Sequence, residues 1–217
     1  MEVIGFRLGD YRTNCYLIHD TKKAWIIDPG FDGARVARKL QSLQLEPQAI
    51  YLTHTHWDHV LGIPGLVEVY GSLPLMVHPT EASFLGHRGG KILRDFALAI
   101  DPRQAHISQT LWETIPEATH LYEDNEILEE SGLRVIHTPG HSPGSVSLYH
   151  EGDGILFSGD TLFMQSIGRT DLPNSTPEAI FSSITDRLFV LPDDTRVYPG
   201  HGPATTIGKE KTNPWFD

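Results

Sequence analysis

Short runs of β-branched and aromatic residues recur along the chain, and each is interrupted by glycine, proline or a charged residue. Runs of this length and composition predict strands of a buried or half-buried sheet. The predicted strands are Val3–Phe6, Cys15–Ile18, Ala24–Ile27, Ile50–Leu52, Leu75–Val77, Leu133–Ile136, Val146–Tyr149, Ile155–Phe157 and Arg196–Tyr198.

Two stretches between these strands have helical spacing instead. Residues 34–43 place apolar side chains on one face as far as Leu43, and Asp32 is suited to cap the helix. Residues 177–188 repeat the pattern with Pro177 at the first helical position. Strands dominate both ends without strict alternation with helices, so the predicted fold class is α/β, with a two-layer sheet core covered by helices.

The segment 79–117 differs from the rest of the chain because its strand signals stop. Its apolar residues follow a four-residue step at Ile92, Phe96 and Ile100. Three glycines ahead of them predict flexible joints: Gly86, Gly89 and Gly90. We interpret the chain as one domain, residues 1–217, with a helical insertion around 79–117. The insertion is either a pair of helices packed on the core, or a lid or dimer surface.

Composition narrows the classes of function. The 39% hydrophobic and 21% charged residues exclude a coiled coil, a collagen-like fibre and a disordered chain. A net charge of −11 argues against a nucleic-acid partner. A single cysteine, Cys15, allows no internal disulfide and no cysteine-based zinc site. Neither a signal peptide nor a membrane-length apolar run is present, so we expect a cytoplasmic protein without a membrane partner.

The strongest chemical signal follows the predicted strand Ile50–Leu52. Four metal-ligand side chains lie within six positions there: His54, His56, Asp58 and His59. Imidazole and carboxylate groups are ligands that zinc, iron and manganese accept. Neighbouring side chains diverge, so Asp58 and His59 are not expected to bind the same ion as His54 and His56. The spacing therefore suggests two metal ions.

Three later segments supply further ligands, each just past a predicted strand. These ligands are His141, Asp160 and His201, each preceded by a glycine that allows a tight turn: Gly140, Gly159 and Gly200. The strand ends of a parallel or mixed sheet would collect such residues at one edge. The remaining seven histidines are interpreted as structural or surface residues, and His137 is the one nearest to a ligand in sequence.

These motifs, taken in order, resemble the metallo-β-lactamase superfamily, and within it the hydroxyacylglutathione hydrolases (glyoxalase II). The resemblance runs from Thr13 to Pro214. It implies an αββα sandwich with metals at one edge of its two sheets. It also implies the metal ligands: His54, His56 and His141 for the first ion, Asp58, His59 and His201 for the second, and Asp160 bridging both.

The resemblance implies two divalent ions, zinc in the first instance, with iron or manganese as alternatives. Two such ions, balanced by Asp58, Asp160 and a bridging hydroxide, leave a net positive charge. This charge favours hydroxide near neutral pH and stabilises a developing oxyanion. The implied reaction is hydrolysis of a small anionic thioester, with Asp58 orienting the hydroxide. None of these residues indicates an oligomeric state.

The loop Gly168–Pro173 contains the candidate substrate residue. In the family this loop lies at the mouth of the metal site, and Arg169 matches a basic position that meets the substrate's anionic part. The structural alternative is a polar turn held by salt bridges. Well-studied glyoxalase II enzymes add a C-terminal helical domain that binds glutathione, whereas 16 residues follow His201 here. The chain is therefore most similar to the short, single-domain branch.

The main alternative is an oxidoreductase. Persulfide dioxygenases share this fold and the Gly-Arg-Thr-Asp stretch, and they use one iron held by two histidines and an aspartate. His54, His141 and Asp160 would form that set. A nuclease is disfavoured by the net charge, and a lactamase by the missing export signal. A metal-holding scaffold without catalysis is disfavoured by the complete set of seven ligands.

Overall fold

The computed structural model describes residues 1–216, so Asp217, the last residue of the predicted domain, lies outside the described part. The chain forms two compact units, Met1–Leu121 and Tyr122–Asp217. Each unit contains its own six-stranded sheet and its own buried apolar cluster.

The first unit is built on a sheet whose strands lie side by side in chain order. Its strands are β1 (Glu2–Leu8), β2 (Thr13–His19), β3 (Lys23–Ile27), β4 (Glu46–Tyr51), β5 (Leu75–Val77) and β6 (His120–Leu121). Strands β1 to β3 are antiparallel, whereas β3 to β6 are parallel. Carboxyl ends of parallel neighbours meet at one sheet edge, so loops following β3, β4 and β5 share that edge.

Five helices accompany this sheet: α1 (Gly33–Ser42), α2 (Trp57–Val60), α3 (Ile63–Tyr70), α4 (Gly86–Ile100) and α5 (Gln109–Glu113). The predicted cap of α1 is confirmed, because the Asp32 carboxylate accepts a hydrogen bond from the Arg35 amide at 2.9 Å. Leu43 was predicted on the buried face and is 38% exposed. It lies at the C-cap, where the helix has ended and no longer directs the side chain inward.

Helices occupy most of the segment 79–117, with α4 and α5 joined by a 3₁₀ turn at Pro102–His106. The expected apolar face is partly wrong, since Ile92 is exposed while Leu93 and Ala97 are buried. The predicted glycine joints lie inside α4 instead. A Cβ on Gly90 would lie 1.9 Å from the Trp112 carbonyl oxygen, so glycine there permits close packing of α4 on α5.

The second unit has a mixed sheet in the order β14-β13-β10-β9-β8-β7, and β11 and β12 form a separate hairpin. Its strands are β7 (Ile127–Leu128), β8 (Leu133–His137), β9 (Val146–His150), β10 (Ile155–Gly159), β11 (Leu162–Phe163), β12 (Ser166–Ile167), β13 (Arg196–Pro199) and β14 (Thr205–Thr206). β9 is antiparallel to both β8 and β10, and β10 is parallel to β13. Strands β8, β10 and β13 therefore run in the same direction.

The helices of the second unit are α6 (Pro177–Ser182) and α7 (Ile207–Glu210). The predicted helix 177–188 is present, but its second half, Ser183–Leu188, is a π-helix. Ile180, Ile184 and Leu188 are buried in the apolar cluster of this unit. Among the described residues, no helix is both long and apolar enough to cross a membrane.

Candidate metal centre

Every predicted metal ligand follows the carboxyl end of a strand. In the first unit, β4 ends at Tyr51 and leads into the histidine motif, whose Asp58 and His59 lie in the short helix α2. In the second unit, His141, Asp160 and His201 follow β8, β10 and β13. Since these three strands run in the same direction, their following loops lie at one edge of that sheet.

His54 and His56 face each other within the first unit. Nε2 of His54 lies 3.1 Å from Nδ1 of His56. The Thr53 hydroxyl donates to Asp28 at 2.7 Å, so its oxygen accepts from the His54 Nδ1–H at 3.1 Å. That hydrogen bond leaves the lone pair of His54 on Nε2. A separation of 3.1 Å is close to that of two nitrogens each about 2.0–2.1 Å from one shared ion.

Asp28, which no sequence motif singles out, orients a third predicted ligand. It follows β3 and is buried, and its Oδ2 lies 3.0 Å from Nδ1 of His59. A carboxylate oxygen only accepts, so His59 donates from Nδ1 and presents Nε2 for a metal. Asp28 also accepts from the Thr53 amide at 2.9 Å. The signal available in the sequence was its position directly after a strand.

Two further first-unit contacts hold the motif. The Thr13 hydroxyl donates to Oδ2 of Asp58 at 2.6 Å. Oε2 of Glu81 accepts from both the amide and the hydroxyl of Thr55, at 3.0 and 2.5 Å. Thr13 is the first residue of the family resemblance, but its hydrogen bond to Asp58 was not predicted. The contact of Glu81 with Thr55 was not predicted either. Each of these two contacts crosses a long sequence separation, which the motif itself cannot reveal.

Asp160 is central to the ligands of the second unit. Its Oδ2 lies 3.6 Å from Nε2 of His141 and 3.3 Å from Nε2 of His201. His141 and Asp160 are buried, whereas 28% of the His201 side chain is exposed. One carboxylate oxygen between two imidazole nitrogens is an arrangement suited to a shared metal ligand.

The loop with the predicted substrate residue also orients a predicted ligand, His141. The Arg169 carbonyl lies 2.9 Å from Nδ1 of His141, so His141 donates from Nδ1 and presents Nε2. The Arg169 guanidinium makes two hydrogen bonds to Asp171, at 2.7 and 2.9 Å. These bonds lower the pKa of the Asp171 carboxyl. The salt-bridged turn is thus present, and Arg169 remains a candidate for substrate binding.

Glycines shape the loops of the second unit, although not all as expected. Gly140 and Gly159 have φ values of +142° and +51°, which favour glycine, and each precedes a predicted ligand. Beside His201 the positive φ, +77°, belongs to Gly202 and not to Gly200. Gly168 was not singled out by sequence, yet a Cβ there would lie 1.7 Å from the Asp160 carbonyl oxygen.

The donor set fits divalent zinc, iron or manganese. The side chains able to hold a metal ion are imidazoles and carboxylates: His54, His56, Asp58, His59, His141, Asp160 and His201. Cys15 is buried in the apolar cluster of the first unit, where burial raises the pKa of its thiol. His137 donates from Nε2 to the Pro143 carbonyl at 2.9 Å, which accounts for it as a structural residue.

Comparison with known proteins places these residues in a family. The model of the metallo-beta-lactamase superfamily matches residues 8–201. This chain belongs to that superfamily. A probable metallo-hydrolase of Streptococcus pyogenes is 36% identical over 94% of this chain and 85% of the relative. The hydroxyacylglutathione hydrolase GloC of Haemophilus influenzae is 34% identical over 95% of this chain and 94% of the relative.

Solved structures confirm the predicted fold class. The B3 metallo-β-lactamase BLEG-1 is 36% identical with a TM-score of 0.82, covering 99% of each chain. TTHA1623, crystallised in a di-iron-bound form, is 36% identical with a TM-score of 0.82, covering 98% of this chain and 100% of its own. The protein is therefore a metal-dependent hydrolase of the metallo-β-lactamase superfamily, with an α/β fold of that type.

Proposed function

We propose that this protein hydrolyses anionic thioesters at a centre of two divalent metal ions. The facing nitrogens of His54 and His56 support this proposal most directly, since their 3.1 Å separation suits a shared ion. The position of the Asp160 carboxylate oxygen between His141 and His201 supports a bridging role. The di-iron form of TTHA1623 shows that a relative at 36% identity binds two metal ions.

The proposed ligand sets follow the motifs residue by residue. The first ion would be held by His54, His56 and His141, the second by Asp58, His59 and His201, with Asp160 bridging the two. Seven ligands exceed what one tetrahedral ion uses, which favours two ions. Zinc is the proposed metal, and iron and manganese accept the same donors.

Two divalent ions would supply an activated water near neutral pH and a positive charge for the developing oxyanion. The protein's own residues orient the reactants. Asp58, held by the Thr13 hydroxyl at 2.6 Å, would orient the attacking water through its carboxylate. Arg169 would bind the anionic part of the substrate, because a guanidinium matches a carboxylate through paired hydrogen bonds.

The thioester substrate rests on the relative named hydroxyacylglutathione hydrolase. The match covers 94% of that relative, so the relative has little sequence beyond the region that it shares with this chain. A separate glutathione-binding domain is therefore not required for a thioester substrate. The B3 metallo-β-lactamase BLEG-1 is 36% identical to this chain, so a direct substrate assay is necessary.

The first test is the metal content of protein purified under metal-replete conditions, paired with hydrolysis of S-lactoylglutathione and of neutral thioesters. The expected result is two ions per chain and thioester turnover that a chelator abolishes. A ratio that stays at one would refute the two-ion centre. Oxygen uptake with glutathione persulfide, without thioester turnover, would favour the single-iron dioxygenase instead.

A substitution separates the two reactions further. His201→Ala should loosen the second ion and lower the thioester kcat by about 100-fold or more, because water activation is impaired. In a single-iron enzyme, whose ligands are His54, His141 and Asp160, iron content would persist and oxygen uptake would fall only modestly. His137→Ala is the matched control: the His137 side chain donates to the Pro143 backbone carbonyl and is not a proposed ligand, so this variant should leave turnover unchanged. A folded His201→Ala protein with full thioester activity would contradict the proposal.

A further inference from the structure

Thr55 lies between two of the proposed metal ligands, and Glu81 holds it. The Thr55 amide and hydroxyl both donate to Oε2 of Glu81, at 3.0 and 2.5 Å. Glu81 is 1% exposed and Thr55 is also 1% exposed. Burial of a carboxylate is unfavourable unless hydrogen bonds compensate it, so the two hydrogen bonds from Thr55 stabilise the buried Glu81 side chain.

The backbone around Glu81 is itself fixed. Its amide donates to the His78 carbonyl at 3.0 Å, and its carbonyl accepts from the Phe84 amide at 3.0 Å. Glu81 therefore extends from a hydrogen-bonded turn that follows β5 and forms the start of the helical segment 79–117. A side chain anchored on such a turn can hold the orientation of the peptide it contacts.

The Thr55 peptide determines how the neighbouring imidazoles meet. His54 and His56 leave the chain on either side of it, and their facing nitrogens are 3.1 Å apart. Rotation of this peptide would move both rings and change that separation. The second contact from the helical segment is Phe96, whose ring stacks on His56 at 5.6 Å between centroids with a 16° angle between planes.

We propose that Glu81 is a positioning residue for metal binding. By fixing Thr55, it sets the relative orientation of the His54 and His56 rings. Phe96 supports this orientation by stacking on the His56 ring. The helical segment 79–117 thus holds the histidine motif in its metal-binding geometry. This inference rests on the proposed function only in that His54 and His56 bind metal.

The test measures metal affinity and ligand geometry in the full-length protein. Glu81→Ala should raise the Kd for Zn²⁺, measured by chelator competition, by about 10- to 100-fold, as removal of a group orienting a metal ligand typically does. The visible spectrum of the Co²⁺-loaded protein should shift, because the ligand angles change. Glu81→Gln should retain most of the affinity, since its amide oxygen can accept both Thr55 donors.

A second variant tests the contact from the other side. Thr55→Val removes the hydroxyl donor and should raise the Kd for Zn²⁺ less than Glu81→Ala does. In the double variant the two losses should not add, because both substitutions remove the same contact. Fully additive losses would overturn the proposal, since they would assign the two residues independent effects.

The matched control is Asp101→Asn. Asp101 lies in the same helical segment and is 9% exposed, and its carboxylate accepts hydrogen bonds from Tyr11, Arg103 and Gln104. This variant should lose stability while Zn²⁺ affinity and the Co²⁺ spectrum stay unchanged. An equal loss of affinity in Asp101→Asn would reduce the role of Glu81 to general stability and overturn the proposal.

Failure of the inference differs from failure of the proposed function. Wild-type affinity and spectrum in a folded Glu81→Ala protein would overturn the role of Glu81 and leave the metal centre intact. A wild-type protein that binds no metal would overturn both. If Glu81→Ala does not fold, Thr55→Val decides the question, and wild-type affinity in that variant with an unchanged Co²⁺ spectrum would overturn the proposal.

Discussion

Nδ1 of His59 lies 3.0 Å from Oδ2 of Asp28, and both side chains are almost completely buried. Asp28 also accepts two hydrogen bonds from Thr53, the residue before the first histidine of the motif. One carboxylate therefore orients an imidazole and fixes the start of the loop that carries it. Carboxylates in this position keep a histidine in the tautomer whose other nitrogen binds metal.

Replacement of Asp28 should weaken metal binding. Asp28→Ala is expected to raise the Kd for Zn²⁺ by about 10- to 100-fold, because His59 loses the partner that orients it. Chelator competition measures this directly. Asp32→Ala is the control: it removes the cap of α1 and should cost about 1 kcal/mol of stability at unchanged metal affinity. Equal Kd values for both variants would contradict the role of Asp28.

The difference between Asp28 and the histidines explains how far the sequence could predict this site. Four metal-ligand side chains lie close together in the chain, so their spacing alone predicts a metal-binding loop: His54, His56, Asp58 and His59. Asp28 reaches that loop only because β3 and β4 are parallel neighbours. Such a contact depends on strand order, which local patterns of hydrophobic residues do not contain.

The fold shows a similar division. All nine predicted strands are present, because each apolar run combines β-branched residues with a clear break. Ile92 was predicted to share a buried face with Phe96, yet the helix turns Leu93 and Ala97 inward. The helix therefore has two overlapping apolar faces, one with Ile92 and one with Leu93. Gly90 permits close packing of α4 on α5, and this packing determines which face is buried.

The Arg169 side chain should affect anionic substrates selectively. Arg169→Ala is expected to raise KM for anionic thioesters, a loss of about 1.5–3 kcal/mol in transition-state binding, typical of a hydrogen bond to a charged group. Neutral thioesters should lose much less. Because His141 bonds the Arg169 carbonyl and not its side chain, metal content should not change. Equal losses on both substrate types would instead assign Arg169 a structural role through Asp171.

The stability of the helical segment should depend on pH through Asp101. Hydrogen bonds from Arg103 and Tyr11 lower the pKa of the Asp101 carboxyl. A carboxyl whose pKa is lowered by folding contributes stability above its unfolded pKa of about 3.9, and this contribution is lost as pH falls through the folded pKa. The Tm difference between wild type and Asp101→Asn, measured on metal-free protein, should therefore narrow below about pH 4.

Tyr11 extends the same pH experiment to alkaline conditions. Burial, with the Asp101 hydrogen bond second, raises the pKa of Tyr11 to about 12. Its contribution to stability is present below the unfolded pKa of about 10 and is lost as pH rises through 12. Asp95→Asn is the control at both extremes, because the Asp95 side chain is 80% exposed. Tm curves for wild type and Asp101→Asn that remain parallel from pH 6 to pH 2 would contradict the acid-range role of Asp101.

Gly168 should be required for the geometry of the second unit's ligands. A Cβ at this position would lie 1.7 Å from the Asp160 carbonyl oxygen and 3.3 Å from Cβ of His141. Gly168→Ala must therefore displace the backbone of one proposed ligand and crowd another, at a cost of about 1–3 kcal/mol in stability. Metal content per chain should fall. Elemental analysis measures this loss of metal, and urea unfolding of the metal-free protein measures the loss of stability separately.

Gly152→Ala is the control, since the nearest neighbour of the added Cβ would be the His150 ring at 3.4 Å, an ordinary contact. It should change stability by no more than about 0.5 kcal/mol. Full metal content at wild-type stability in Gly168→Ala would show that the loop can move aside, and that its close approach to Asp160 does not determine how this unit binds metal.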